Sequence, residues 1–166
     1  LHKEYPLMFE NAFGDTTINS TRFLQAMTQF MALLVSADSK YDLAIRGEGP
    51  SLSPEEKEGK ALFDKHCASC HSGELFSDFS FRNNGMFPNQ QMDRGRYEIS
   101  LLPNDIGKFK VPSLRNIAKT APYMHNGSLN SLEDVLNHYT TGISASPTLD
   151  SNLMVHNKPG LQINLE

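Results

Sequence analysis

Tryptophan is absent from this chain of 166 residues, and cysteine occurs only twice. Without an indole, any electron relay through tryptophan has to come from outside these residues. No apolar run approaches the ~20 residues that span a bilayer, so this sequence holds no membrane-crossing helix. No dense Lys/Arg block is present, and the formal charge is −4. Both features argue against nucleic acid as a partner. Internal repeats and low-complexity tracts are also missing. No signal peptide is visible, and the first residue is Leu1 rather than Met. That start reads as a processed or trimmed piece of something longer.

What is present suits one domain with a real core. Hydrophobic residues make up 39%, and nine prolines and eleven glycines point to a loop-rich fold. The two cysteines carry the most information, in the run Cys67-Ala68-Ser69-Cys70-His71. A disulfide redox pair uses the same C-x-x-C spacing but typically opens a helix beside a strand. Here the preceding segment reads as helical, with no such strand. A zinc site needs about four ligands. His66 offers a third, but no second C-x-x-C or H-x-x-x-H follows. Covalent haem accounts for both cysteines and the histidine together. The thiols add to the haem vinyl groups, and His71 ligates the iron. Such attachment normally takes place outside the cytoplasm, so the expected location is periplasmic.

Three helices are legible around this motif. From Thr17 to Val35, Ile18, Phe23, Leu24, Met27, Phe30, Met31 and Leu34 recur near helical spacing, with Asn19 or Ser20 as the cap. The polar stretch 36–51, with Gly47, Gly49 and Pro50, reads as a loop. Ser53, Pro54 and Glu56 form a capping box that opens a second helix running into the cysteines. Residues 72–110 read as a long loop wrapping one haem edge. Ser113 is expected to cap a short helix ending near Lys119. Ser131 caps another, with Asp134 at its third position and Leu132, Val135, Leu136 and Tyr139 on one face. The tail from Gly142 reads as irregular. The expected class is an all-α, cytochrome c-like helical fold around one covalently bound haem. The chain reads as one haem domain over 1–166, with a helix of residues 1–50 packed on it.

Several further runs sharpen this: Tyr5-Pro6 with 9–14, 34–42, Asp93-Arg94-Gly95-Arg96, and above all 109–116, FKVPSLRN, continuing as 120–127, TAPYMHNG. With the haem motif, they resemble the C-terminal, electron-transfer haem domain of the bacterial di-haem cytochrome c peroxidase and MauG-like family. The similarity spans nearly the whole chain. It implies a parent with a second, N-terminal haem domain where hydrogen peroxide reacts, and a small electron donor such as a cytochrome or cupredoxin. It also allows a homodimer. The peroxidase branch places a Met fourteen residues after the histidine matching His125. Here that position is Tyr139, as in the MauG-like branch. Tyr139 is therefore the expected second haem ligand, against the reading of a core aromatic. Met124 is the runner-up, and Met154 and His138 are weaker candidates. A tyrosinate favours ferric iron, whereas a thioether favours ferrous iron.

The remaining candidates carry bland alternatives. The resemblance implies that His125 sits beside the haem and helps shuttle charge; the bland alternative is a structural histidine. Arg96 and Arg115 suit the haem propionates, or plain surface solvation. Thr120 and Pro122 match family positions whose backbone carbonyls bind a calcium between the two domains. Lys65 and His66 are expected to face solvent. Two functions follow from different classes: the electron-transfer half of a di-haem peroxidase or MauG-like oxidase, or a stand-alone mono-haem electron carrier. The 109–127 block favours the first.

Overall fold

The computed structural model describes residues 2–86, 93–161 and 163. The chain divides into two units, Leu1–Pro50 and Ser51–Glu166.

The first unit holds three helices. Helix α1, Tyr5–Phe13, carries Pro6 in its first turn and ends at Gly14, whose φ of 87° suits glycine. Helix α2, Ser20–Leu33, is capped by the Asn19 side chain, which accepts from the Arg22 N–H. Arg22 also grips Asp15 through both terminal nitrogens, at 2.6 and 2.7 Å. The apolar stripe of α2 is helical, yet Phe23, Leu24, Phe30 and Met31 all stay exposed. Helix α3, Lys40–Arg46, lies within the stretch read as loop. Its cause is a complete capping box, with Ser39 and Asp42 bonding each other's backbone N–H.

The second unit opens with α4, Pro54–His66, capped by the Ser53/Glu56 box as expected. Further on come α5, Tyr97–Ser100, and α6, Leu132–Asn137, the latter with its Ser131/Asp134 box. One wide π turn, His138–Gly142, continues α6. The expected helix after Ser113 is only a 3-10 turn, Ile117–Lys119. Ser113 is occupied elsewhere: its hydroxyl donates to the Leu75 carbonyl at 2.6 Å.

That contact belongs to a long-range strap. Strands β1, Phe81–Arg82, and β2, Phe109–Lys110, pair antiparallel. The buried Ser77 hydroxyl donates to the Val111 carbonyl, and Arg115 Nε donates to the Glu74 carbonyl, both at 2.7 Å. The chain just after the haem motif is thus stapled to the 109–115 run. The loop reading of 72–110 holds apart from β1, β2, α5 and a 3-10 turn at Pro103–Asp105. Its residues 87–92 lie outside the described residues. The tail adds a hairpin, β3 Met154–Val155 with β4 Lys158–Pro159. His156 and Asn157 take the positive φ values that its tight turn requires.

Arg82 ties the strap to the tail. It donates to Asp78 at 2.7 Å, Asp150 at 2.8 Å and Ser80 at 2.8 Å. Burial alone would push the Asp78 carboxyl up, but hydrogen bonds from Arg82 and Ser80 outweigh it and hold the pKa at about 2, against an ordinary 3.8. Arg82→Met is expected to lower stability by about 2 kcal/mol at neutral pH, since the cluster is neither fully exposed nor fully dry. The folded-state pKa of Asp78 lies below its unfolded value. Its contribution is therefore full above about pH 4 and lost as pH falls through about 2. Denaturant midpoints of wild type and variant should converge over that window; a pH-independent gap would show that Asp78 contributes nothing through ionisation.

Candidate haem-binding site

Helix α4 delivers the motif. Cys67 is its C-cap, and the Cys67 N–H bonds the Phe63 carbonyl. The Cys67 carbonyl then accepts from both Cys70 N–H, at 3.1 Å, and His71 N–H, at 2.9 Å. This tight turn sets both thiols and the imidazole on one short segment. The cysteines are half-buried and not joined to each other. Burial pushes the Cys67 thiol up, and the nearby Cys70 adds to the rise. The negative end of the α4 dipole also faces the motif. A dithiol redox pair needs the opposite, a lowered thiol pKa at a helix N-terminus. The structure thus disfavours that reading.

His71 is oriented from behind. Its Nδ1 lies 2.9 Å from the Phe76 carbonyl. A proton on Nδ1, donated to that carbonyl, leaves the Nε2 lone pair for a metal, the arrangement found for ligating histidines generally. The Phe76 carbonyl is itself held by the loop around it. Ser77 N–H bonds the Ser72 carbonyl at 2.9 Å, and Asp78 N–H bonds the Cys70 carbonyl at 2.8 Å.

Tyr139 comes to the same place from the far end of the chain. It lies in the π turn, packs against Ile143, Leu153 and Leu161, and receives the Leu161 N–H on its carbonyl at 2.9 Å. Burial pushes its phenol up, a hydrogen bond from the Asn84 side chain pulls it down, and Cys67 and Cys70 are close enough to push it up again. Leu161, in the cluster that Tyr139 packs against, lines a cavity with His66 and Ser69 of the motif segment, and Asn152 Nδ2 lies 3.9 Å from Cys70 Sγ. Met124, at φ 69°, connects through the same asparagine: Asn84 Nδ2 donates to its Sδ at 3.3 Å. Sequence reasoning does not reach Asn84, because its partners lie 40 and more residues away. His138 is buried, with Nε2 on the Asn84 carbonyl at 3.0 Å, which occupies that nitrogen. Met154 lies on β3, 37% exposed.

The other candidates have protein partners. Arg96 reaches Asp105 at 3.1 Å and lies 4.2 Å over the Phe81 ring. Arg115 is taken up by the Glu74 carbonyl and lies over Phe76. His125 Nε2 is 2.8 Å from Asp93 and stacks on Phe109 at 4.1 Å. Thr120 and Pro122 are exposed on the turn that precedes Tyr123. His66 is half-buried rather than solvent-facing. With Lys65, Ser69, Asn152, Val155 and Leu161 it lines a cavity of about 450 Å³ beside the motif.

The residues present fit a covalent haem. Two unjoined thiols and a pre-oriented imidazole share one turn. The protein's own core is also thin. Among the described residues the buried apolar side chains are Val111, Tyr123, Ile143, Leu153 and Leu161, and none is fully buried. A large apolar group held at the motif would complete such a core.

Comparison with known proteins agrees with this geometry. The chain is 37% identical to the methylamine utilization protein MauG of Methylophilus methylotrophus over 81% of its length. It is 32% identical to the cytochrome-c peroxidase IdrP2 of Denitromonas iodatirespirans over 84%. A family model described as di-haem cytochrome c peroxidase matches residues 1–50, ending where the first unit ends. The chain belongs to the MauG-like di-haem cytochrome c peroxidase family. The family implies haem c as cofactor, with peroxidase or oxidase chemistry and electron transfer. The fold agrees: the crystal structure of a MauG-like protein associated with microbial copper homeostasis superposes with a TM-score of 0.71 at 30% identity, covering 93% of this chain and 54% of that one. The chain spans 41% of the MauG relative and 46% of the peroxidase. The cytochrome c-like, helix-rich class is thus established, with short strands inside the loops.

Proposed function

We propose that this chain supplies the electron-transfer haem of a periplasmic two-haem peroxidase, which reduces hydrogen peroxide with electrons from a small cytochrome or cupredoxin. The observation that carries it is the motif turn, where Cys67 and Cys70 stay unjoined and His71 Nδ1 lies on the Phe76 carbonyl. Tyr139, with Met124 as the alternative, would supply the second ligand. Haem supplies a one-electron iron centre when bound. Cys67 and Cys70 tether it, His71 presents Nε2, and the strap to 109–115 keeps the Phe76 carbonyl on His71 Nδ1. Peroxide cleavage needs an accessible metal face with acid–base groups nearby. A site filled from both sides suits electron transfer instead, and peroxide then reacts at the haem of the N-terminal domain. Thr120 and Pro122 carbonyls would contribute to a calcium site completed by that domain. A second reading, a MauG-like oxidase, is favoured by the phenol at position 139.

The test is peroxide turnover with a reduced cytochrome donor. This chain, loaded with haem, should be at least about 100-fold slower than the parent, the scale on which acid–base assistance is lost. Turnover at the parent's rate would place an open, catalytic iron here and end the assignment.

A further inference from the structure

A run of hydrogen bonds begins and ends on Cys70. The Asp78 N–H donates to the Cys70 carbonyl at 2.8 Å. The Asp78 carboxylate accepts from Arg82 Nη2 at 2.7 Å, and Arg82 Nη1 donates to Asp150 at 2.8 Å. Asp150 accepts the Asn152 N–H at 2.9 Å, and Asn152 Nδ2 lies 3.9 Å from Cys70 Sγ. The cluster is also held from outside this ring. Arg82 Nε donates to Ser80 Oγ at 2.8 Å, so all the guanidinium nitrogens are engaged. Ser80 in turn donates to Asp78 from its N–H at 2.9 Å and from its hydroxyl at 2.7 Å. The Asp150 N–H bonds the Asn83 carbonyl at 3.0 Å. Two carboxylates and one guanidinium are thus fixed beside the second cysteine of the motif, and one negative charge is left over. The side chains of Asp78, Arg82 and Asp150 are only 23%, 25% and 16% exposed. Salt screens partly buried charges far less than charges on an open surface.

We propose that this cluster sets the potential of the haem held at Cys67 and Cys70, favouring its ferric state. The inference rests on the haem reading above. Ferric iron carries one more positive charge than ferrous iron, so a fixed negative charge nearby stabilises it. The guanidinium offsets one carboxylate, and Asn152 and the Asp78 N–H hold the whole cluster against Cys70. A phenolate ligand at position 139 would act in the same direction through the iron itself. The two are separable, because changing a charge in the cluster leaves the ligands and their spectrum in place.

The experiment uses the full-length parent, matured in a host with cytochrome c assembly. Midpoint potentials and ferric optical spectra are recorded for wild type, Asp150→Asn, Arg82→Gln and the combination of the two. Asp150→Asn should shift the ferric–ferrous equilibrium of one haem about threefold toward ferrous, about 28 mV at 59 mV per tenfold. Arg82→Gln leaves both carboxylates unopposed and should shift it about as far toward ferric. The double variant restores a single negative charge and should return close to the wild-type midpoint. The ferric spectrum and the midpoint of the other haem should not move. Opposite signs are the signature of charge, since a loosened loop would move both single variants the same way. If Arg82→Gln does not accumulate, Asp78→Asn takes its place and should move the midpoint in the direction of Asp150→Asn, while Ser80→Ala, which removes a hydroxyl and no charge, should leave it. Unchanged midpoints in variants that carry covalent haem would overturn the role of the cluster and leave the haem reading intact, as would shifts that do not follow charge. Wild-type parent without covalent haem at Cys67 and Cys70 would overturn the haem reading itself.

Discussion

Protein matured with cytochrome c assembly should keep its haem through denaturing electrophoresis, and the Cys67→Ala/Cys70→Ala double variant should release all of it. Detergent and heat remove every non-covalent contact, so retention reports only the thioether bonds. The structure prepares for two such bonds. Both thiols are unjoined, half-buried and borne on the turn that ends α4. Burial disfavours the Cys67 thiolate, so Cys67 does not look like a redox nucleophile. Among the described residues, no group of three or more His, Cys, Asp or Glu side chains could hold a metal ion without haem. Single variants should each keep one tether and so retain haem in part. Loss of haem from correctly matured wild type would defeat the assignment. The double variant should also unfold at lower denaturant than the haem-bearing form, because the five buried apolar side chains among the described residues make a thin core.

How far the sequence carries this can be judged from single residues. Asn19, Ser53 and Ser131 cap helices as read, because a cap is a bond to a backbone N–H three residues away. Ser39 does the same for α3 but was masked by Gly47, Gly49 and Pro50, and seven residues are too few to show a period. Ser113 carries the same local signature, yet its hydroxyl goes to a carbonyl 38 residues away. No local rule foresees that competition. The stripe on α2 predicts the helix correctly, but not that Phe23, Leu24, Phe30 and Met31 stay exposed. At the site, the covalent motif is legible because its chemistry is contiguous. Tyr139 needed the family's spacing from His125. Asn84 needed the fold, since its amide donates to Met124, 40 residues away, and the tail folds back over 83–85.

Tyr139→Phe should open a coordination position or bring in another donor, with a clear change in the ferric spectrum, while Met124→Leu should change it little. The two residues differ in how they are placed. Tyr139 lies in the π turn after α6, a widened turn of the kind found often at functional sites. Its ring packs on Ile143, Leu153 and Leu161, so Phe keeps that packing and removes only the oxygen. The loss in folding stability should stay near 1 kcal/mol, the scale of one hydrogen bond. Met124 has its sulfur already engaged by Asn84. A phenolate stabilises ferric iron, so its removal should raise the midpoint potential, on the order of 100 mV within the ~0.8 V that axial ligands span. Potential and spectrum together separate ligation from packing, because a packing defect would lower stability without moving either. The opposite pattern, with Met124→Leu altering the spectrum and Tyr139→Phe silent, would make Met124 the ligand and Tyr139 a residue of the core.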